Sequence, residues 1–445
     1  MKKIIDTIKN IFKIEELRTR LTYTFVLIIV YRLGCQIVLP GIDGATLVAM
    51  AQNADNSGLV GLLNMFSGGA FSSASIFALG VMPYISASIV VQLLGIFVPY
   101  FRKLQMEGES GRRKLNQLTR YLTIAILLIQ APAYMLSLPH QDVPAGAFFS
   151  TLGLPTGWFA PMTLVSMLIL IAGSMFVMWL GERITDRGIG NGISLIIMIG
   201  IVARLPLALT AEIGQKLTTT NGGLLFIIIE FVIWFFVLAA AIALVQAVRK
   251  VPVQYAKRII GNRQYGGSNF LPLKINAAGV MPIIFAQALM MLPMLFAGYS
   301  PKLASMFNDY TGVWYNLVFG ILVVLFTYFY TAITVNPQMI SEELKKNGGF
   351  IPGVKPGKKT MDYLDDIMSK VTLPGSIFLA FIAIMPAFAR MAGVNPQFAS
   401  FFGGTSLLIT VGVVLDTLQQ IEGYLLMRHY DGLMKTGRLT GRSGM

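Results

Sequence analysis

The sequence is poor in charge, in cysteine and in histidine, and each shortage excludes a class of protein. Only 13% of its 445 residues are charged, about half of the roughly 25% that soluble domains carry. The single cysteine, Cys35, excludes an intramolecular disulfide and any multi-cysteine metal site. The two histidines, His140 and His429, fall in a predicted outer loop and in the C-terminal tail, where neither is a base within a membrane. No metal, no cofactor and no enzymatic activity is therefore expected.

Long apolar runs take the place of charge. Hydrophobic residues make up 55% of the chain, and the mean hydropathy is +0.68. A bilayer crossing needs about 20 mostly apolar residues, and helices satisfy the backbone of such a segment internally. The sequence therefore predicts an all-α membrane protein of ten transmembrane helices. The predicted spans are 21–39, 75–97, 118–138, 159–180, 192–208, 223–244, 276–297, 313–335, 373–391 and 402–427.

Positive charge is distributed unevenly between the two sides of these spans. The net charge is +14, and 30 of the 35 Lys and Arg residues fall on one side. The positive-inside rule makes that side cytoplasmic, with both termini in the cytoplasm. Residues 1–20 are expected to form an amphipathic helix at the membrane surface. The basic segments are 1–20, 98–120, 181–191, 245–275, 336–372 and 428–445.

A four-residue motif occurs twice, in corresponding predicted spans. Gly-Val-Met-Pro stands at 80–83 in the second span and at 279–282 in the seventh. Each is the second span of a five-span half, and an odd number of spans gives the two halves opposite orientations. Glycine and proline inside a helix favour a bend, and paired interruptions in inverted repeats point to a translocation path between the halves. The alternative is a pair of purely structural kinks. The predicted halves are 21–210 and 211–427, followed by a tail at 428–445.

Residues 61–74 are rich in glycine, serine and alanine and too few to cross a bilayer. The segment is predicted either to lie outside the membrane or to re-enter it within protein. An ordinary outer loop is an equally good interpretation of the composition.

Two cytoplasmic loops, 245–275 and 336–372, are larger than a connection between helices requires. Alternating apolar and polar residues around a Gly-Asn pair at 261–262 predict a β-hairpin in the first loop. In the second, Thr360 is expected to cap a short helix. Both loops are basic, which is typical of topology determinants and, at this size, also indicates docking surfaces for a cytoplasmic partner.

A secondary transporter for a small solute is the main alternative function. Such proteins need ionisable groups in the middle of the membrane, and the acidic candidates are Glu230 and Asp416, in different halves. A nucleotide-driven pump is disfavoured, because the phosphate-loop-like stretch at 353–360 has three residues between its glycines where four are required.

Five motifs spread over most of the chain resemble those of the SecY family. This resemblance implies a clamshell of two inverted halves, through which unfolded preproteins cross the membrane and hydrophobic segments leave sideways into lipid. It also implies a bacterial inner-membrane location. The motifs are SIFALGVMPYISASIVVQLL at 75–94, WLGERITDRGIGNGIS at 179–194, LPLKIN at 271–276, FYTA at 329–332 and FGGTSLL at 402–408.

The resemblance also implies the residues of a pore ring, a plug and a lateral gate. An aliphatic ring blocks ions by dewetting without binding a moving chain. The plug is a short helix, 61–74, that fills the outer funnel of the idle channel. The ring falls on Val81, Ile85, Ile193, Ile197, Ile284 and Ile409. The plug includes Asn64, Phe66, Ser67, Gly68, Gly69 and Ala70. The gate includes Gly80, Pro83, Ser86, Gln92, Gly279 and Pro282.

The partners implied by the resemblance are the SecE and SecG subunits, the SecA ATPase and the translating ribosome, the last two on the basic loops. Two positions depart from the family pattern. Val81 is smaller than the isoleucine common in relatives, and Lys355 replaces an arginine, so a bidentate contact there does not transfer. The docking residues are expected to be Arg249, Lys250, Lys257, Arg258, Lys355, Lys358 and Lys359.

Overall fold

The chain packs as two compact units. The computed structural model describes residues 14–40, 42, 64, 67–137, 161–219, 223–255, 258–260, 263–265, 268–290 and 312–436. Of these, the residues up to Arg204 and from Val413 onward form the first unit, and Leu205–Gly412 form the second.

The first unit is built from helices and one irregular segment. Its helices are α1 (Glu15–Gly34), α2 (Met82–Phe97), α3 (Pro99–Met106), α4 (Glu109–Ser137), α5 (Pro161–Arg187), the first part of α6 (Gly192–Thr219) and the last part of the C-terminal helix. Helices α2 and α3 meet at an angle of 103°. Val98 between them is extended, because the following Pro99 disfavours helical backbone at the residue before it.

The irregular segment 67–81 forms part of the core of the first unit. It runs through successive turns and pairs with the chain that leaves α1. The Leu39 N–H donates to the Ala74 carbonyl at 2.9 Å, and the Ile76 N–H donates to the Ile37 carbonyl at 2.9 Å. The apolar start of the second predicted span is therefore non-helical. The core contains Leu39, Ile42, Phe71, Ala74, Ala78, Leu79, Leu127, Ala131, Tyr134 and Leu170.

The second unit combines long helices with a small sheet. Helices α8 and α11 both pack against α9. The helices are the remainder of α6, α7 (Gly223–Gln246), α8 (Met281–Met290), α9 (Val313–Thr334), α10 (Pro337–Lys346), α11 (Lys358–Met391), α12 (Pro396–Ala399) and the start of α13 (Gly404–Thr436).

The strands of the second unit confirm the predicted hairpin and add a sheet. Strands β2 (Arg258–Ile260) and β3 (Arg263–Tyr265) are antiparallel and flank 261–262, which lie outside the described residues. Strands β1, β4 and β5 are Val248–Tyr255, Ser268–Lys274 and Gly349–Phe350. They form a three-stranded sheet of order β4-β1-β5, with β1 at its centre.

The prediction of a helical multi-span membrane protein is confirmed. Within the described residues, seven helices are long and apolar enough to cross a membrane, and α2 with α3 makes an eighth if counted as one bent span. Helices α1 and α8 overlap the two other predicted spans, 21–39 and 276–297. The predicted domain boundaries, with halves at 21–210 and 211–427, stay predictions.

One prediction about the second basic loop is wrong. Helix α11 is a single helix of 34 residues that includes the ninth predicted span, rather than a short helix before it. Its N-cap is Gly357, with φ of 99°. Thr360 is buried and donates its hydroxyl proton to the Lys355 carbonyl at 3.0 Å, so it closes the preceding loop and does not cap the helix.

Candidate functional site

The repeated Gly-Val-Met-Pro motif builds the same backbone structure twice. Gly80 and Gly279 have φ of 51° and 63°, in the left-handed region that glycine tolerates. The Gly80 N–H donates to the Phe77 carbonyl at 2.9 Å, and the Gly279 N–H donates to the Asn276 carbonyl at 3.4 Å. Each glycine thus closes a tight turn.

A helix begins immediately after each turn. Helix α2 starts at Met82 and α8 at Met281, so Pro83 and Pro282 occupy the second helical position, where proline is well tolerated. The prediction of kinks inside helices is therefore wrong. The motif starts each helix sharply, because the missing N–H of proline has no partner to lose in the first turn.

Each of the two helices carries one predicted ring residue, and the two residues occupy equivalent positions relative to the helix start. The Ile85 N–H donates to the Val81 carbonyl at 3.0 Å, and the Ile284 N–H donates to the Val280 carbonyl at 3.4 Å. Ile85 and Ile284 therefore lie one helical turn into equivalent helices, and both are half-buried. The four-residue sequence repeat therefore corresponds to a repeated local structure, a tight turn followed by a helix start.

Four predicted ring residues lie in the first unit. Val81 and Ile197 are buried, with exposed fractions of 5% and 7%, and Ile85 and Ile193 are half-buried. Ile193 stands in the first turn of α6, which packs closely on α5.

The other two ring residues lie in the second unit. Ile284 is half-buried on α8, and Ile409 is 6% exposed on α13. These helices are linked by a hydrogen bond of 3.5 Å from Gln287 Nε2 to Thr405 Oγ1. That bond joins positions three residues after Ile284 and four residues before Ile409.

Asn64 and residues 67–74, here called the plug segment, are held together by local hydrogen bonds. Residues 67–74 form successive turns, so in this described part the expectation of a short helix is wrong. Asn64 is fully buried, and its Oδ1 accepts from the Ser72 N–H at 3.2 Å and from the Ser72 hydroxyl at 2.9 Å. The Ser67 Oγ accepts from the Phe71 N–H at 3.0 Å. The Tyr134 hydroxyl of α4 donates to the Phe71 carbonyl at 2.7 Å. Phe66, the remaining predicted plug residue, lies outside the described residues.

The plug segment contacts backbone next to two ring residues. A Cβ placed on Gly68 would lie 2.8 Å from the Gly200 Cα of α6, so only glycine allows this approach. A Cβ on Gly80 would lie 3.9 Å from the Ser67 Cα. Arg32 of α1 donates from Nη1 to the Gly68 carbonyl at 3.4 Å. Within the first unit, the plug segment therefore lies beside Gly80, which precedes Val81, and beside Gly200, which follows Ile197 by one turn of α6.

The polar gate residues lie on α2. Gln92 donates from Nε2 to the Ser88 Oγ at 3.3 Å, and Ser86 is half-buried. Pro83 and Pro282 are buried, each in its own unit.

The two basic loops form one body, here called the docking platform, made of sheet β4-β1-β5, α10 and the first turns of α11. Strand β5 from the second loop pairs with β1 from the first, with Gln254 opposite Phe350 and Tyr255 opposite Gly349. The Ser341 hydroxyl donates to the Gly357 carbonyl at 2.8 Å. The platform encloses Val251, Val253, Leu273, Leu344, Ile351, Leu364 and Met368.

Most of the predicted docking residues are exposed on this platform. Lys257 lies outside the described residues, and Arg258 begins β2. The exposed cations are Arg249, Lys250, Lys355, Lys358 and Lys359.

Sequence reasoning missed a buried charge cluster in the second unit. Lys216 Nζ lies 3.0 Å from Glu230 Oε1 and 3.9 Å from Glu212 Oε1. The other Glu212 oxygen accepts from the Asn395 N–H at 2.7 Å. Glu230 is thus paired with a lysine. This pairing explains why a carboxylate lies in a membrane helix, and no role in ion transport is needed to explain it. Glu212 and Lys216 are four residues apart, a spacing that places an ion pair on one face of a helix. The predicted span ended at 208, so this pair was not assigned to a helix.

Comparison with known proteins agrees with this architecture. The family model described as SecY matches residues 75–418. Protein translocase subunit SecY of Chlamydia trachomatis is 40% identical over 460 residues, which cover 98% of this chain and 99% of the relative. A solved structure of a protein-conducting channel has a TM-score of 0.61 at 18% identity, covering 92% of this chain and 93% of the other. Sec61 in the canine ribosome-channel complex from the endoplasmic reticulum has a TM-score of 0.57 at 16% identity, with coverages of 92% and 93%.

The helices, the paired helix starts and the fold likeness define a multi-span membrane protein with a channel fold. The chain belongs to the SecY family, a family of the bacterial plasma membrane.

Proposed function

We infer that this chain is the protein-conducting channel of the Sec translocase, a transport subunit and not an enzyme. Family membership over almost the whole length of the chain supports this function. The finer proposal is that unfolded preproteins pass through a ring formed by the six aliphatic residues, and that the plug segment covers this ring in the idle channel.

One observation carries the ring proposal. Ile85 and Ile284 occupy the same turn of two helices with identical starts, one in each unit. In transport proteins built from two inverted halves, the path lies at the interface between the repeats, and interrupted helices in corresponding positions of the two halves line it. The half-buried state of both side chains leaves them surface with which to contact a passing chain.

The chemistry of the ring suits a seal that must also let polypeptide move. Aliphatic side chains dewet a narrow passage, which blocks ions, and they provide no polar group that binds a moving chain. The plug segment adds a second barrier. Its packing against Gly80 and Gly200 supports a place directly beside Val81 and Ile197.

Lateral release into lipid follows from transfer energetics. An apolar residue at the helix centre favours the bilayer by about 0.3–0.6 kcal/mol, so about 20 such residues gain on the order of 6–12 kcal/mol. One or two central charges, at about 2.5–3.5 kcal/mol each, offset much of that gain. A seam that opens between α2 with α4 and α8 with α9 is enough to sort segments by this difference.

The docking platform is proposed to bind the SecA ATPase or the ribosome on the cytoplasmic side, with SecE and SecG as membrane partners and both chain termini in the cytoplasm. Lys358 and Lys359 are exposed in the first turn of α11, where positive charge opposes the helix dipole by about 0.3–1 kcal/mol per residue. Two lysines that reduce the stability of their own helix are better explained by a role in binding a partner than by a role in folding. Sec61 in the canine ribosome-channel complex shares this fold, which supports the ribosome as a candidate partner of this chain.

Crosslinking tests the ring proposal. Single cysteines at Ile85 or Ile284, in a chain whose Cys35 is replaced by serine, are expected to crosslink to a preprotein stalled in transit. A matched cysteine at Ile228, which is 54% exposed on α7, is expected to give no preprotein adduct. Mass spectrometry of the adducts identifies the partner. Adducts of the ring cysteines with neighbouring helices alone would contradict the proposal.

A further inference from the structure

The turn 188–191 between α5 and α6 is held by side chains from distant helices of the first unit. The Ile189 N–H donates to the Thr24 Oγ1 of α1 at 3.1 Å. The Gly190 N–H donates to the Gln420 Oε1 of α13 at 2.8 Å. Backbone donors removed from water need partners, and here two consecutive donors depend on α1 and α13.

The first turn of α6 is fixed by a further set of hydrogen bonds. The Gly192 N–H donates to the Thr185 Oγ1 of α5 at 2.9 Å. The Asn191 Oδ1 accepts from the Ile193 N–H at 3.2 Å and from the Ser194 N–H at 3.4 Å. Asparagine at this position satisfies donors that the helix itself leaves free. The backbone from 189 to 194 is therefore bonded at nearly every donor.

Packing leaves this turn little space in which to shift. Gly190 has φ of 78°, and a Cβ placed on it would lie 3.1 Å from the Thr417 Oγ1 of α13. A Cβ on Gly192 would collide with the Gly181 carbonyl of α5. The turn is thus enclosed by α5 on one side and α13 on the other.

We propose that Gln420, together with Thr24, is a positioning residue that holds the first turn of α6, and with it Ile193, in the sealed ring of the idle channel. This inference rests on the proposed function of the ring. Helix α13 then has two roles, because it carries the ring residue Ile409 and, farther along, fixes the turn that leads to Ile193. Movement of α13 is transmitted to α6 through the bond to Gly190.

The test compares export of one preprotein with an intact and with a defective signal sequence. Gln420→Leu removes the acceptor, and the ratio of defective to intact export is expected to rise about fivefold, which corresponds to about 1 kcal/mol lost from the sealed state. Gln420→Glu keeps an acceptor oxygen and is expected to retain the original ratio. Gln419→Leu, at the neighbouring exposed residue, is the matched control. A role in folding alone would lower both exports and leave their ratio unchanged.

Ile409→Asn serves as the reference for the ring itself. If it raises the ratio and Gln420→Leu does not, the positioning role is wrong and the ring stands. If Ile409→Asn also leaves the ratio unchanged, the ring proposal fails, and the positioning role fails with it. Should Gln420→Leu not accumulate, Thr24→Val removes the other acceptor at nearly constant volume. An unchanged ratio in that variant overturns the inference.

Discussion

Two adjacent glycines in the plug segment differ in what surrounds them. Gly68 and Gly69 both have positive φ, at 65° and 95°. A Cβ on Gly68 would meet the Gly200 backbone, whereas a Cβ on Gly69 would have no atom of the described residues within 4 Å. Conformational freedom is therefore required at both positions, and close approach to α6 is required only at Gly68.

This difference gives a prediction at the residue scale. Gly69→Ala is expected to cost only the left-handed backbone conformation, about 1–2 kcal/mol. Gly68→Ala is expected to lift the plug segment from α6 as well, and so to increase the ion conductance of the idle channel more than Gly69→Ala does. Recordings of both variants in planar bilayers measure the effect. Equal conductance would show that the plug segment does not seal against α6.

At the scale of elements, a buried charge cluster connects α6, α7 and the chain after α11. Lys216, Glu212 and Glu230 are each less than 10% exposed. Two carboxylates share one ammonium group, and a backbone N–H from Asn395 supplies further compensation. A buried pair contributes little over an apolar substitute, but removing one partner leaves an uncompensated charge.

Lys216→Met is therefore expected to destabilise the second unit by about 3–5 kcal/mol. Thermal unfolding of the purified protein in detergent measures this change. Lys370→Met removes an exposed partner of Asp366 and is expected to have little effect. Adding Glu230→Gln to Lys216→Met is expected to recover part of the loss, since one buried charge disappears. If Lys216→Met and Lys370→Met unfold alike, the cluster does not stabilise the unit.

At the scale of the whole molecule, the docking platform joins parts of the chain that are far apart in sequence. Strand β1 lies between a strand of its own loop and one of the second loop. Cations from both loops consequently belong to one folded body, so the proposed partner would meet positive charge from both loops together.

Charge reversal at Lys358 and Lys359 is expected to weaken binding of the motor ATPase or the ribosome and to reduce the salt dependence of binding. Arg102 and Lys103, exposed on another basic segment, provide the control with the same change in net charge. Sedimentation with proteoliposomes at several salt concentrations measures both. Equal loss in the two double variants would indicate a general charge effect and remove the platform from the proposal.

The sequence predicted the structure correctly where the pattern lay within a short stretch of the chain. Each predicted span overlaps a helix in the part of the chain that the structure describes, and seven or eight of these helices are long and apolar enough to cross a membrane. The Gly-Asn pair at 261–262 identified the hairpin. Family motifs identified the channel. The repeated Gly-Val-Met-Pro motif was also visible in the sequence, but the sequence did not predict that it forms a turn and a helix start. Residues 75–81 are apolar enough for a helix, but Ser75 and Ile76 pair with the chain after α1, the following residues form turns, and the helix begins only at Met82.

By itself, the sequence determined the membrane class, the approximate positions of the apolar helices and the family, because apolar length, charge bias and motifs are properties of short stretches. Only the tertiary structure decided that two basic loops form one sheet, that Glu230 is neutralised by Lys216, and that Gln420 binds the turn before Ile193. Each of these joins residues distant along the chain, and hydrogen bonds and ion pairs of that kind are fixed by packing, which no local pattern encodes.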